Sequence, residues 1–146
     1  MCGISGFNWK DEKKVTEMSQ AISHRGPDAN GIFVDDTMSF AHNRLSVIDL
    51  SPEANQPMYD DTKELVIVFN GEIYNFLELR EVSEKKGHIF KSHTDTEVLL
   101  HLYEEKGIDC LSDLRGAFAF CIWDQKKERL FIARDRIGQK PIFYIC

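Results

Sequence analysis

Leu65-Val66-Ile67-Val68-Phe69-Asn70-Gly71-Glu72-Ile73-Tyr74-Asn75 is the stretch on which the fold turns. Its first five residues form a continuous apolar run rich in β-branched side chains, the pattern of a strand buried on both faces. The run passes straight into Asn70-Gly71-Glu72, which reads as a turn. Asn75 then offers a cap to a helix over 76–86, closed by Gly87. A second helix opens at Thr94-Asp95-Thr96-Glu97, a capping box in which the Thr94 hydroxyl and the Glu97 carboxylate each take a free backbone donor. Val98, Leu99, Leu102 and Tyr103 share one face of that helix, and Gly107 stops it.

Downstream, residues 117–123 and 130–133 read as strands around a charged hairpin turn at 124–128. Residues 134–141 read as a loop and 142–145 as the start of another strand. Upstream, 3–7 is a short strand and 14–23 a helix, ended by His24-Arg25-Gly26-Pro27-Asp28. Residues 32–34 and 38–42 form a hairpin about Asp35-Asp36, 44–50 continues extended, and 51–60, with Pro52 and Pro57, is a loop. Helices and strands come in blocks rather than in alternation. That predicts an α+β domain, with antiparallel or mixed sheets and helices stacked outside.

The 146 residues suit a single domain able to bury a core. A net charge of −6 speaks against a nucleic-acid partner, whose phosphates need clustered cations. No run of about 18 apolar residues is present, so no membrane helix is expected. The N-terminus also lacks the basic and apolar regions of a secretory signal. Cys2, Cys110, Cys121 and Cys146 make no C-x-x-C pair, and reduced thiols in a cytoplasmic protein are the better reading. Cys110 and Cys121 sit in apolar surroundings as small core residues. Cys146 directly follows the apolar 142–145, so a truncated chain is expected. The histidines at 24, 42, 88, 93 and 101 show neither H-x-x-x-H nor H-E-x-x-H spacing, and no metal site is expected.

Cys2 is the most informative residue for chemistry. With Met1 removed, its thiol and α-amine share one carbon frame. An α-amine titrates near 7.7–8.0, low enough to serve as a neutral base for the thiol. Taken alone, a cysteine at position two is more often an ordinary strand residue. Asn70 and Gly71 offer a side-chain amide and a backbone N–H to a single oxygen, with glycine allowing close approach. A plain Asn-Gly turn is the commoner meaning of that dipeptide. Arg44 lies between apolar runs, where its planar fork suits a carboxylate; a structural pair with Asp49 is the alternative. Asp95 stands in a helix first turn, which by itself is ordinary helix-start preference. One cation for a carboxylate, with Glu72 and Asp95 for an ammonium, would together recognise a free amino acid.

Blocks along nearly the whole chain carry a family resemblance. They are Met1-Cys2-Gly3-Ile4, His24-Arg25-Gly26-Pro27-Asp28, Arg44-Leu45-Ser46-Val47-Ile48-Asp49 with Gln56-Pro57, and Asn70-Gly71-Glu72-Ile73-Tyr74-Asn75. Asp95-Thr96-Glu97, Gly116-Ala117-Phe118-Ala119-Phe120, Arg134-Asp135 and Gly138-Gln139-Lys140-Pro141 follow in order. Together they resemble the class II glutamine amidotransferase domain of glutamine-hydrolysing asparagine synthetases.

The resemblance implies an N-terminal nucleophile hydrolase fold, a four-layer αββα sandwich of two antiparallel sheets, incomplete at its C-terminus. It implies a glutaminase domain over 2–146 that turns L-glutamine into glutamate and ammonia through a Cys2 thioester. In that assignment Asn70 and Gly71 form the oxyanion hole and Arg44 binds the substrate carboxylate. Glu72 and Asp95 bind its ammonium, and Leu45, Ser46, Val47 and Ile48 line the pocket. No cofactor is expected for this step. ATP and Mg belong to a synthetase domain or subunit, absent from this chain, that receives the ammonia. The alternatives are a non-catalytic remnant bound to a synthetase partner and another N-terminal-cysteine amidohydrolase.

Overall fold

The structure, a computed structural model, describes residues 1–145; Cys146 lies outside them. In chain order the elements are β1 (Gly3–Phe7), α1 (Glu12–Ala21), β2 (Ala29–Val34), β3 (Ser39–Arg44), β4 (Met58–Tyr59), β5 (Leu65–Ile73), α2 (Phe76–Lys85), α3 (Asp95–Lys106), β6 (Gly116–Asp124) and β7 (Arg129–Arg134). They build two antiparallel sheets, ordered β1-β3-β2 and β4-β5-β6-β7.

Strand periodicity sorts the side chains of β5 onto two faces. Val66 and Val68, with Trp123 of β6, meet Phe33, Met38 and Phe40 of the first sheet. Ile67, Phe69 and Ile73 instead pack with Phe118, Phe120 and Ile122 against Val98, Leu99 and Leu102 of α3. Helix α1 covers the outer side of the first sheet, and α3, backed by α2, covers the second. The layers therefore run helix, sheet, sheet, helix, as expected.

Tertiary contacts overrule several local expectations. Asn70-Gly71-Glu72 is no turn: it stays in β5 and pairs with Ala119, Phe118 and Ala117 of β6. The cross-strand partner outweighs the turn preference of Asn-Gly. Asn75 does not cap α2 with its side chain. Its amide instead donates to Asp113 O and accepts from Arg115 N, tying the start of α2 to the chain entering β6. The capping box forms only by half. Thr94 Oγ1 accepts from Glu97 N at 3.2 Å, but the Glu97 carboxylate takes the N–H groups of Lys91 and Ser92. Helix α3 is buried on all sides from Asp95 through Tyr103, not on one face, because α2 lies over it.

Helix α1 begins two residues earlier than the periodicity predicts, because the Asp11 carboxylate accepts from Lys14 N. Beyond Arg44 the chain leaves the sheet in bends rather than continuing extended, and the loop before β5 contributes β4. Residues 142–145 form no strand, having no partner strand among the described residues.

Candidate active site

The register of the first sheet sets the nucleophile beside the cation. Gly3 of β1 pairs with Asn43 of β3, so one residue beyond this pair lie Cys2 and Arg44. The Cys2 sulfur accepts from Leu45 N–H at 3.4 Å. The backbone of Cys2 is held in turn: Arg25 Nε donates to its carbonyl at 3.1 Å. Gly26 lets the Arg25 segment approach, since a Cβ there would stand 2.2 Å from Asn43 O. Asp28 closes the clamp, its N–H donating to Arg44 O at 3.0 Å and its carboxylate accepting from Ser46 N at 2.7 Å.

Arg44 is buried and carries no salt bridge among the described residues. Its Nη1 donates to Ser51 O and Asn55 Oδ1, each at 2.8 Å, and its Nη2 to Asp49 O. The alternative pair with Asp49 does not form. The Asp49 carboxylate is taken by His93 N and Ser51 N, which pull its pKa down to about 2. The guanidinium therefore sits oriented by neutral acceptors, with its charge uncompensated by any carboxylate.

Across the sandwich, Asn70 has the same parity as Val66 and Val68, so its side chain projects between the sheets. The N–H groups of Phe69, Gly71 and Ile73 point the other way from β6, along one edge of β5. Gln56 Oε1 accepts the first at 2.6 Å and Asp95 Oδ2 accepts the third at 2.8 Å. Between them, no side chain among the described residues takes the Gly71 N–H. Glycine is required at this point. Its φ is +154°, and a Cβ would stand 2.2 Å from Ala117 O.

Asp95 is buried at the first turn of α3. Burial pushes its carboxyl up to about 6 against the pull of the Ile73 and Thr96 N–H groups, and the Glu72 charge adds to the rise. Glu72 itself is exposed at the end of β5.

These groups share one cavity of about 210 Å³. It gathers Cys2, Arg44, Leu45, Val47, Ile48, Asn70, Gly71, Glu72 and Asp95. Of the residues expected from sequence, Ser46 alone stays off its wall. Among the further wall residues, Gln56, Asp49 and Lys140 have no site role in the sequence reading. Gln56 orients Phe69 N and also donates to Thr96 Oγ1; a glutamine before a proline in a polar loop carries too little signal to assign that. Asp49 anchors the loop through backbone N–H groups that no spacing reveals. Lys140 is brought in by Asp135, whose carboxylate accepts from the N–H groups of Phe118, Gln139 and Lys140; its ammonium stands 2.8 Å from Met1 Sδ. Cys110 is fully buried and Cys121 partly so, and burial raises both thiols to about 12, which leaves them poor nucleophiles.

The arrangement thus offers the Cys2 thiol, two unclaimed donors, the Arg44 cation and the Glu72 and Asp95 carboxylates around a small cavity. That set can bind a zwitterion at one end and stabilise an oxyanion at the other.

A family profile described as a glutamine amidotransferase domain matches residues 1–146. The putative asparagine synthetase [glutamine-hydrolyzing] 2 of Methanocaldococcus jannaschii is 40% identical over 99% of this chain, which spans 32% of that protein. Asparagine synthetase B [glutamine-hydrolyzing] of Escherichia coli is 42% identical over 98% of the chain, which spans 26% of it. The fold is similar to part of the glutamine phosphoribosylpyrophosphate amidotransferase of B. subtilis, with a TM-score of 0.75 at 23% identity, over 92% of this chain and 37% of that one. The profile covers the site from Cys2 to Lys140, and with it the chain belongs to the glutamine amidotransferase domain family.

Proposed function

We propose that the chain is the glutaminase half of a glutamine-hydrolysing asparagine synthetase. Once Met1 is removed, the Cys2 α-amine takes the thiol proton and the sulfur attacks the carboxamide carbon of L-glutamine. The C–S bond forms and the carbonyl oxygen gains negative charge, which the Gly71 N–H and the Asn70 amide stabilise. The C–N bond then breaks, and the nitrogen leaves as ammonia with the proton held by the amine. Water hydrolyses the thioester and releases glutamate. Arg44 holds the substrate α-carboxylate, Asp95 and Glu72 its α-ammonium, and Leu45, Val47 and Ile48 flank the side chain. Ser46 acts only through its backbone. Lys140 stands on the wall of the same cavity.

The observation that most supports this reading is the Gly71 N–H, left open between two neighbours that are both taken. The half-reaction needs no cofactor. The ammonia passes to aspartate activated by ATP and Mg on a synthetase domain or subunit. A reducing, cytoplasmic setting suits the free thiol; no helix among the described residues is long and apolar enough to cross a membrane.

The test is glutamate release from L-glutamine by the full chain, with intact mass recording the loss of Met1 and the gain of one adduct from a glutamine-like electrophile. Cys2→Ala should abolish the adduct and lower turnover by at least ~10³-fold, the scale of a lost nucleophile. Turnover unchanged in Cys2→Ala would overturn the assignment.

A further inference from the structure

On the helical side of the second sheet, away from Cys2, a second concavity of about 350 Å³ gathers Asp61, His88, His101, Glu104 and Glu105. His88 follows the end of α2, one residue past Gly87, whose φ of +100° turns the chain back toward α3. His101 and Glu104 lie three residues apart on α3 and so share a face.

Their ligating atoms converge. His88 Nδ1 lies 3.1 Å from His101 Nδ1, His101 Nδ1 lies 2.6 Å from Glu104 Oε2, and His88 Nδ1 lies 3.8 Å from the same oxygen. Two ligands bound at 2.0–2.1 Å in tetrahedral geometry stand about 3.3 Å apart, and the edges of 2.6, 3.1 and 3.8 Å fall on either side of that spacing, so a small side-chain shift would seat a cation.

Protons serve such a triangle poorly. If His101 Nδ1–H donates to Glu104, that one proton must also serve the His88 Nδ1 lone pair 3.1 Å away. If His88 Nδ1–H donates to His101, the carboxylate loses its donor. A single cation at the centre satisfies all three lone pairs together.

The outer contacts suit the same role. His88 Nε2, the nitrogen turned away from the triangle, lies 3.0 Å from Glu105 Oε1, and Glu105 is itself paired with Lys86. A carboxylate behind the second ring nitrogen is a common neighbour of a metal-bound histidine; here the contact is electrostatic, since Glu105 Oε1 takes no aligned hydrogen bond. The His101 ring is held edge-on by Phe90, with ring centroids 4.8 Å apart.

We infer that His88, His101 and Glu104 bind a divalent cation of the zinc class, which staples the end of α2 to α3. Two imidazoles and one carboxylate are borderline ligands that favour zinc over calcium or magnesium, and the open side of the concavity leaves a fourth position for water. The site is separate from the glutaminase chemistry, and its role is to hold the helical layer together.

The test titrates Zn²⁺, and Co²⁺ as a spectroscopic probe, into the metal-stripped full chain carrying Cys2→Ser and Cys146→Ser, which removes stray thiol ligands. One Zn²⁺ per chain with a micromolar or tighter Kd is expected. Visible Co²⁺ bands of a four- or five-coordinate nitrogen–oxygen site, and a rise in Tm of several degrees on loading, are expected with it. His88→Ala and Glu104→Gln, both at partly exposed positions, should each weaken binding at least tenfold while the far-ultraviolet circular dichroism stays unchanged. Absence of stoichiometric binding, or affinity unchanged in both variants, would overturn the site.

Discussion

Two buried residues near the cavity titrate in opposite senses. Burial raises the Asp95 carboxyl to about 6, so between pH 3.8 and 6 the folded state holds a proton that the unfolded state has lost. Its contribution to stability is full at low pH and is lost as pH rises through that window. His42 behaves the other way. Burial lowers it to about 4, against the hydrogen bond to Phe69 O and with the Arg44 charge adding to the fall. The unfolded state then binds the extra proton below pH 6.5, and stability is lost as pH falls. Each shift corresponds to about 3 kcal/mol at 1.36 kcal/mol per unit. Asp95→Asn should therefore gain stability relative to the parent chain as pH rises from 4 to 6, and His42→Asn should gain as pH falls from 6.5 to 4. Urea unfolding across that range reads both slopes; parallel curves for either variant and its parent would refute the corresponding shift. The Asp95→Asn gain at neutral pH would come with weaker glutamine binding, because the proposed ammonium clamp needs the carboxylate.

At the scale of elements, β5 carries the site because it does two jobs along one strand. Its first half is buried between both layers; its second half keeps pairing with β6 on one edge and opens its other edge to the cavity. Gly71 is where those jobs meet. A methyl group there would strike Ala117 O and Phe118 Cα, at 2.2 and 2.5 Å, so the strands must part or β5 must twist. Gly71→Ala is expected to cost about 1–3 kcal/mol in urea unfolding and to lower glutaminase turnover by more than the unfolded fraction explains. Stability within ~0.5 kcal/mol of the parent would show that β6 yields easily. The same strand shows where local reading stops. Asn-Gly-Glu has turn chemistry, and only a partner strand placed from 116 to 124 keeps it extended. Asn75 likewise looks like a cap, but its amide serves Asp113 and Arg115, some forty residues on.

For the whole molecule, one polar contact crosses the sandwich far from the cavity. Trp123 Nε1 of β6 donates to Asp35 Oδ2, in the β2–β3 hairpin turn, at 2.7 Å. Burial opposes the charge on Asp35, but the Thr37 and Met38 N–H groups together with the indole outweigh it and keep the carboxyl below its ordinary value. Trp123→Phe keeps the ring in the apolar layer with Phe33 and Phe40 while leaving the carboxylate one donor short. A loss of about 1.5–3 kcal/mol is expected, as for a hydrogen bond to a charged group, read as a lower denaturant midpoint with an unchanged m-value. An unchanged midpoint would mean that water replaces the indole without cost.

The sequence by itself determined an α+β layering and most of the strands and helices, because periodicity and caps are local and survive in one dimension; nine of the ten residues expected at the site line the cavity, Leu45, Val47 and Ile48 among them expected from the family resemblance alone. It also marked Cys2, since position two has a chemical meaning that needs no fold. Tertiary structure alone decided how these parts are used. It kept Asn70-Gly71-Glu72 in a strand, turned Arg44 to the Asp49 carbonyl rather than its carboxylate, and gave Glu97 to the loop before α3. It also brought Gln56 and Lys140 to the cavity, and His88 to His101 from elements that share no spacing. Each of these rests on which distant backbone group or side chain arrives at a partner's edge, and that is set by the packing of the layers rather than by any neighbouring residue.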